Sequence, residues 1–177
     1  MIILSDSRQQ KGKHAIKEKW FAENGIELRT TKLYVGDYTL PTDQSVCVDT
    51  KKDIQELIGD VCGKQHDRFR DECIRAQESG IQLYIVVENR GGLIKGTRDI
   101  YNPQISKLEE LHNWKNPRLF IFRAGKQLYP TATRGITLQK ICYAMQKKYG
   151  VKFLFCKPEE SAPLIFKLLT NMNTTEI

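Results

Sequence analysis

Tyr34-Val35-Gly36-Asp37-Tyr38-Thr39-Leu40-Pro41-Thr42-Asp43-Gln44-Ser45-Val46-Cys47-Val48-Asp49-Thr50-Lys51-Lys52 puts two carboxylates and a lysine on what reads as one hairpin. Val46-Cys47-Val48 is a short apolar run bounded by polar turn residues, which predicts a strand continuing through Asp49, Thr50 and Lys51. Strand side chains alternate between faces, so Asp49 and Lys51 point one way and Val48 and Thr50 the other. Gly36 permits a sharp bend just before Asp37, at the end of a preceding strand predicted over Leu28–Val35. Pairing of these two strands through the turn Pro41-Thr42-Asp43-Gln44 would bring Asp37 close enough to Asp49 for both to ligate one metal ion.

A metal-dependent phosphodiester cleaver needs that arrangement. Two carboxylates, waters and a substrate phosphate complete the oxygen shell of a hard cation such as Mg2+. The cation polarises the phosphoryl oxygen and acidifies a bound water. Lys51 would hold or help deprotonate that water and offset charge developing at phosphorus. The same residues also suit a plainer structure, with Asp37 in a turn and Asp49 and Lys51 on a solvated strand face, because Asp-x-Lys is common by chance.

The chain of 177 residues suffices for one domain with a proper core, read here as a single domain over 1–177. No apolar run is long enough to span a membrane, and Met1-Ile2-Ile3-Leu4 lacks a basic leader region. A cytoplasmic or DNA-associated (nucleoid or nuclear) protein is expected, not a secreted one. Cysteines 47, 62, 73, 142 and 156 are odd in number and scattered, which favours reduced thiols over a disulfide frame or a structural zinc site. Lys and Arg number 28 against 21 Asp and Glu, a net +7, and this excess favours a polyanionic partner such as nucleic acid.

Ile2-Ile3-Leu4 reads as a buried strand delivering Ser5-Asp6-Ser7-Arg8 to a loop, where Asp6 is a candidate third ligand or an orienting group. A helix is predicted over Lys13–Glu23, closed by Asn24-Gly25, and a strand over Ile26–Val35. Asp53 can cap a helix with the stripe Ile54, Leu57, Ile58, Val61. A second helix over His66–Ser79 carries Arg68, placed either to grip a phosphate or to pair with Glu72 one turn on. Ile81–Glu88 is the clearest buried strand, and strand-helix-helix-strand order implies an α/β layer structure with a right-handed crossover. Asn89–Arg98 is glycine-rich and basic, and within the loop of about 89–101 Arg90, Lys95 and Arg98 are candidate DNA contacts. No Gly-Lys-Ser/Thr tail follows, so no nucleotide cofactor is expected. Further helices are predicted over Ile105–Trp114, Leu138–Tyr149 and Pro158–Leu169, with strands over Leu119–Phe122 and Val151–Phe155. Residues after Asn171 are expected to fray.

In this order the segments Leu4-Ser5-Asp6-Ser7-Arg8, Leu33-Tyr34-Val35-Gly36-Asp37-Tyr38, Val48-Asp49-Thr50-Lys51, Asp67-Arg68-Phe69 and Val86-Val87-Glu88 resemble the nuclease domain of XPF-type structure-specific endonucleases, a branch of the PD-(D/E)XK nucleases. The resemblance implies a restriction-endonuclease-like core: an α/β fold with a mixed central sheet flanked by helices. It implies that Asp6, Asp37 and Asp49 hold Mg2+ (or Mn2+), that Lys51 is the catalytic lysine, and that Arg8 and Arg68 contact DNA or orient the site. It also implies DNA as substrate, branched or flapped forms included, and work in repair or recombination.

The sequence departs from the family pattern at several places. The family's Glu-Arg-Lys is here Asp49-Thr50-Lys51, and Gln9 stands where the family usually has Glu. No tandem helix-hairpin-helix segment follows, residues 114–150 read as an insertion, and the whole resembles compact stand-alone versions in phages and mobile elements. Two functions stay open: an active endonuclease on DNA or, with the same chemistry, RNA, and a DNA-binding or dimerisation module whose chemistry has lapsed. A homodimer is an expected assembly, with Leu164, Ile165, Leu168 and Leu169 serving as core or interface.

Overall fold

Five of the seven residues of β5 (Gln82–Glu88) are buried, and the sheet is built outward from this strand. A computed structural model describes residues 1–8 and 14–170 of the chain. Before β5 come β1 (Ile2–Asp6), α1 (Ala15–Glu23), β2 (Glu27–Thr31), β3 (Tyr38–Thr39), β4 (Val46–Lys51), α2 (Ile54–Cys62) and α3 (His66–Glu78). After it come the short strands β6 (Gly92–Leu93), β7 (Tyr101–Asn102), β8 (Phe122–Arg123) and β9 (Lys126–Gln127), then α4 (Gly135–Tyr149), β10 (Lys152–Cys156) and α5 (Ser161–Leu169). The main sheet runs β10-β5-β4-β3-β1-β2, with β1/β2, β4/β5 and β5/β10 parallel and β1/β3 and β3/β4 antiparallel. It is the mixed α/β sheet that the sequence predicted.

Strand alternation sorts side chains into two cores. Cys47 of β4 and Leu83, Ile85 and Val87 of β5 face α2, α3 and α4, packing on Leu57, Cys73, Leu138 and Cys142. Val48 and Val86 face the other way, onto Phe21 of α1 and Ile165 and Leu168 of α5. Burying an aliphatic or aromatic side chain of this kind contributes about 1.5–3 kcal/mol. The apolar side of α5 (Ile165, Leu168, Leu169), read as core or interface, therefore lies in the second core. The α2 stripe and its cap match the sequence reading: Ile54, Leu57, Ile58 and Val61 are buried, and Asp53 Oδ1 accepts from the Glu56 N–H at 2.7 Å.

Several elements differ from expectation. The strand predicted to reach Val35 stops at Thr31, and β2 pairs with β1 at the sheet edge, so it is not the partner of β4. That partner is the two-residue β3, which opposes Cys47 and Val48. The helix predicted over Ile105–Trp114 is a 3-10 turn at Leu108–Asn113. The strand predicted over Leu119–Phe122 is a 3-10 turn at Pro117–Phe120 followed by the exposed β8–β9 hairpin, because Pro117 starts a tight turn there. The basic loop carries the small β6–β7 hairpin. Gln9, Lys13 at the start of the predicted helix, and the residues expected to fray lie outside the described residues. Among the described residues, no helix is long and apolar enough to cross a membrane.

Candidate active site

Because 47, 49 and 51 share a face of β4, Asp49 and Lys51 project under α2 and α3, where both are buried. Lys51 Nζ lies 2.6 Å from Asp49 Oδ2 and 2.7 Å from Asp60 Oδ2 of α2, and 4.9 Å from the Phe69 ring centre on α3. Burial alone would pull the Lys51 ammonium down, but Asp49 and Asp60 outweigh it and hold it above the ordinary lysine range. Lys51 is therefore a fixed positive charge.

Asp37 reaches the same place from the bend before β3. Gly36 sits at φ 73°, a conformation that costs L residues, and a Cβ there would stand 3.1 Å from the Val48 carbonyl oxygen. Glu72 of α3 fixes this bend by accepting the Gly36 N–H at 2.9 Å. The Asp37 N–H then donates to Val48 O at 2.8 Å, and Asp37 Oδ2 accepts the Thr50 N–H at 2.9 Å and the Thr50 hydroxyl at 2.7 Å. Asp49 is raised well above the carboxylate range, first by burial and further by Asp37 and Glu72, with Lys51 opposing. Its Oδ2 is buried, with the Lys51 ammonium 2.6 Å away.

A cavity of about 410 Å³ opens over these groups and is also walled by Asp6, Arg8, Arg68 and Glu88. Asp6 is buried with both oxygens held by Arg8: Nε donates to Oδ1 and Oδ2 at 2.9 and 3.0 Å, and Nη2 to Oδ2. Arg8 also donates its backbone N–H to Asp6 Oδ1 at 2.7 Å and its Nη2 to Leu33 O at 3.0 Å. Burial would raise the Asp6 carboxyl, but these hydrogen bonds from Arg8 prevail and lower it. Arg68 is exposed on the cavity wall, while Glu72 is engaged with Gly36. On the opposite face of the sheet, Glu88 at the end of β5 forms a buried ion pair with Lys17 of α1. His14 lies nearby with a buried, unpartnered Nδ1, and burial together with Lys17 lowers its pKa.

Arg90, Lys95 and Arg98 are not part of this cavity. All three are exposed; Arg90 pairs with Glu159 at 2.6 Å, and Arg90 and Lys95 edge a second cavity beside Asp53 and Ile54.

Comparison with known proteins places the chain in a family and matches its fold. A family model for the ERCC4 domain matches residues 5–168, which include every group placed above. The chain belongs to the ERCC4 domain family. Two solved structures of XPF from Aeropyrum pernix superimpose on this ERCC4 domain. One aligns at 17% identity with a TM-score of 0.58, covering 99% of this chain and 66% of that one. The other, a complex with DNA, aligns at 16% and 0.57, covering 99% and 68%. The ERCC4 domain thus spans about two thirds of the length of those chains and shares their restriction-endonuclease-like fold. No curated protein sequence matches it.

Sequence reasoning missed Asp60 and Glu72 in this ERCC4 domain. Their signal was a spacing: Lys52, Glu56 and Asp60 recur every fourth residue, as do Gln65, Phe69 and Glu72 at three to four, and both rows line the cavity. A polar row beside an apolar stripe reads as a solvated face until a neighbouring element is seen to cover it.

Proposed function

We propose that this ERCC4 domain is a metal-dependent endonuclease that hydrolyses phosphodiester bonds in DNA, branched or flapped forms included. The observation that carries the reading is the convergence of Asp37, Asp49 and Lys51 on one cavity, from three positions on a bent ribbon. The donor set fits a hard cation such as Mg2+ or Mn2+, since Asp37 and Asp49 offer only oxygen and both line one cavity. Asp37 and Asp49 would hold the ion, which supplies Lewis-acid polarisation of the phosphoryl group. Lys51, kept charged by Asp49 and Asp60, offsets negative charge developing on the phosphate. Thr50 fixes the Asp37 carboxylate from behind. Arg8 and Arg68 present guanidinium groups at the cavity wall for flanking phosphates. Asp6, whose oxygens Arg8 occupies, orients Arg8 in this reading.

One observation favours the second reading, a domain that binds DNA without cutting it. Among the described residues no group of three Asp, Glu, His or Cys is placed to hold a metal ion. One experiment separates the two. Labelled single-stranded, duplex, flap and four-way DNAs are incubated with Mg2+, Mn2+ or chelator, alongside Asp37→Asn and Lys51→Ala. The endonuclease reading expects cleavage that needs the ion and falls about a hundredfold or more in either variant. Cleavage that survives both substitutions refutes the proposed chemistry. Tight chelator-resistant binding with no cleavage by the parent establishes the second reading.

A further inference from the structure

The net positive charge of this chain comes from one stretch. Between Glu110 and Glu159 there is no acidic residue and there are ten Lys and Arg; with +7 overall, the rest of the chain carries a net −3. Within the stretch, β8 and β9 form a tight hairpin whose two turn residues, Ala124 and Gly125, both have positive φ (49° and 74°). That is the primed turn that matches strand twist, so the hairpin is a built element. Four apolar side chains on and beside it are exposed: Phe122, Tyr129, Leu128 and Ile121 at 61%, 45%, 44% and 40%. Arg118 lies over the Tyr129 ring at 5.8 Å from its centre, and Arg123 and Lys126 flank the turn.

Exposed aromatics gathered on one small hairpin serve no core and mark a binding surface. Here the surface is interleaved with guanidinium and ammonium groups and has no acidic residue to oppose a polyanion. Base–aromatic stacking beside a basic track is how single strands are held without sequence preference. A second copy of this chain would bring the same acid-free, strongly basic stretch against itself, so like charges oppose that occupant. The position fits as well. Helix α2 lines the catalytic cavity with Glu56 and Asp60, and with Gln55 and Ile58 it lines a further cavity walled by Arg118, Leu128 and Tyr129. A strand leaving the first cavity across α2 meets the hairpin.

We propose that the β8–β9 hairpin, with Tyr129 and Arg118, is a stacking platform for unpaired bases of single-stranded DNA. Such DNA is the unpaired arm of a substrate whose scissile phosphate sits over Asp49 and Lys51. Only this last assignment rests on the nuclease reading; the platform itself does not.

The test uses the full chain in chelator, with a fluorescent oligothymidylate of about 20 nucleotides, longer than one site, and a duplex of equal length. Anisotropy titrations compare the parent with Phe122→Ala/Tyr129→Ala, Phe122→Trp/Tyr129→Phe and Arg123→Ala/Lys126→Ala. Single-strand affinity is expected to fall about tenfold or more in the double alanine variant. It should hold within twofold in the aromatic-preserving variant, with duplex affinity little changed in both. Arg123→Ala/Lys126→Ala should lower the magnitude of the salt slope for single strands by about 1.4, at about 0.7 per phosphate contact.

Unchanged single-strand affinity in the double alanine variant, or no single-strand binding by the parent, overturns the proposal. So does a shift in oligomeric mass by light scattering with DNA binding intact, which would make the hairpin a protein interface. Binding in chelator is read on the parent without any cleavage step. Absence of cleavage by the parent would therefore remove the nuclease reading while leaving the platform standing.

Discussion

Removing Lys17 tests whether the far wall of the cavity is held by charge. Lys17 and Glu88 pair across the gap between α1 and the end of β5, with side chains only 5% and 10% exposed. An exposed pair would contribute less than about 1 kcal/mol. Here Lys17→Met leaves the Glu88 carboxylate uncompensated among Cys156 and the second core, and breaking a buried pair from one side costs about 3–5 kcal/mol. That is a large share of the 5–15 kcal/mol that holds a typical domain together. At about 2–4 °C per kcal/mol for a chain of this size, the melting temperature should fall by roughly 6–20 °C. Removing both charges with Lys17→Met/Glu88→Gln should recover much of the loss, because neither charge is then stranded. Urea titration of the parent, both single variants and the double variant gives the coupling directly, and it should exceed about 2 kcal/mol. A cost below about 1 kcal/mol for Lys17→Met, or additive single effects, would refute the view that this pair is desolvated and mutually dependent.

Gly36→Ala should destabilise by at least about 1–2 kcal/mol from its left-handed φ alone and should also weaken cleavage by moving Asp37. Full activity with an unchanged melting temperature would contradict the close approach to Val48. Asp6 titrates below the ordinary carboxylate value, so its contribution is complete above about pH 4 and lost as pH falls through the lowered value. Asp6→Asn should therefore flatten the acid limb of a stability-against-pH curve measured by urea midpoints, and an unaltered limb would be the contrary result. Among the five thiols, Cys62 is exposed, while burial pushes Cys73, Cys142 and Cys156 up to about 12 and raises Cys47. Iodoacetamide on the native protein should add one adduct, on Cys62, by peptide mass spectrometry; fast modification of Cys73 would show that the core is open.

What could be read from the sequence was what depends on local period. Asp49 and Lys51 share a face because strand side chains alternate, and α2 was bounded because Asp53 caps and its stripe repeats at helical spacing. Pairing could not be read in the same way. A strand ending at Thr31 can pair with β4 next in sequence or with β1 behind it, and only packing of Phe21, Ile26 and Leu28 against the second core decides for β1. Leu119–Phe122 misled because a short apolar run carries no information on whether anything covers it; Pro117 and the Ala124-Gly125 turn leave Phe122 in solvent. Asp60 was invisible as a partner of Lys51 because α2 supplies it from the polar row beside its own apolar stripe.

Thr50, where the resembling family has arginine, is the position at which a departure in sequence becomes informative once the fold is known. Alternation turns its side chain away from Lys51, and there it is buried. A long guanidinium at that place would need both room and a counter-charge. A threonine needs neither, and it gives Asp37 Oδ2 a second hydrogen bond beside that of its own N–H. The Asp37 carboxylate is thus fixed by the neighbour of the two residues it must meet, Asp49 and Lys51. Any shift of β4 that moves Asp49 moves Asp37 with it, so the two carboxylates keep their relation by sharing one strand rather than by each being braced alone.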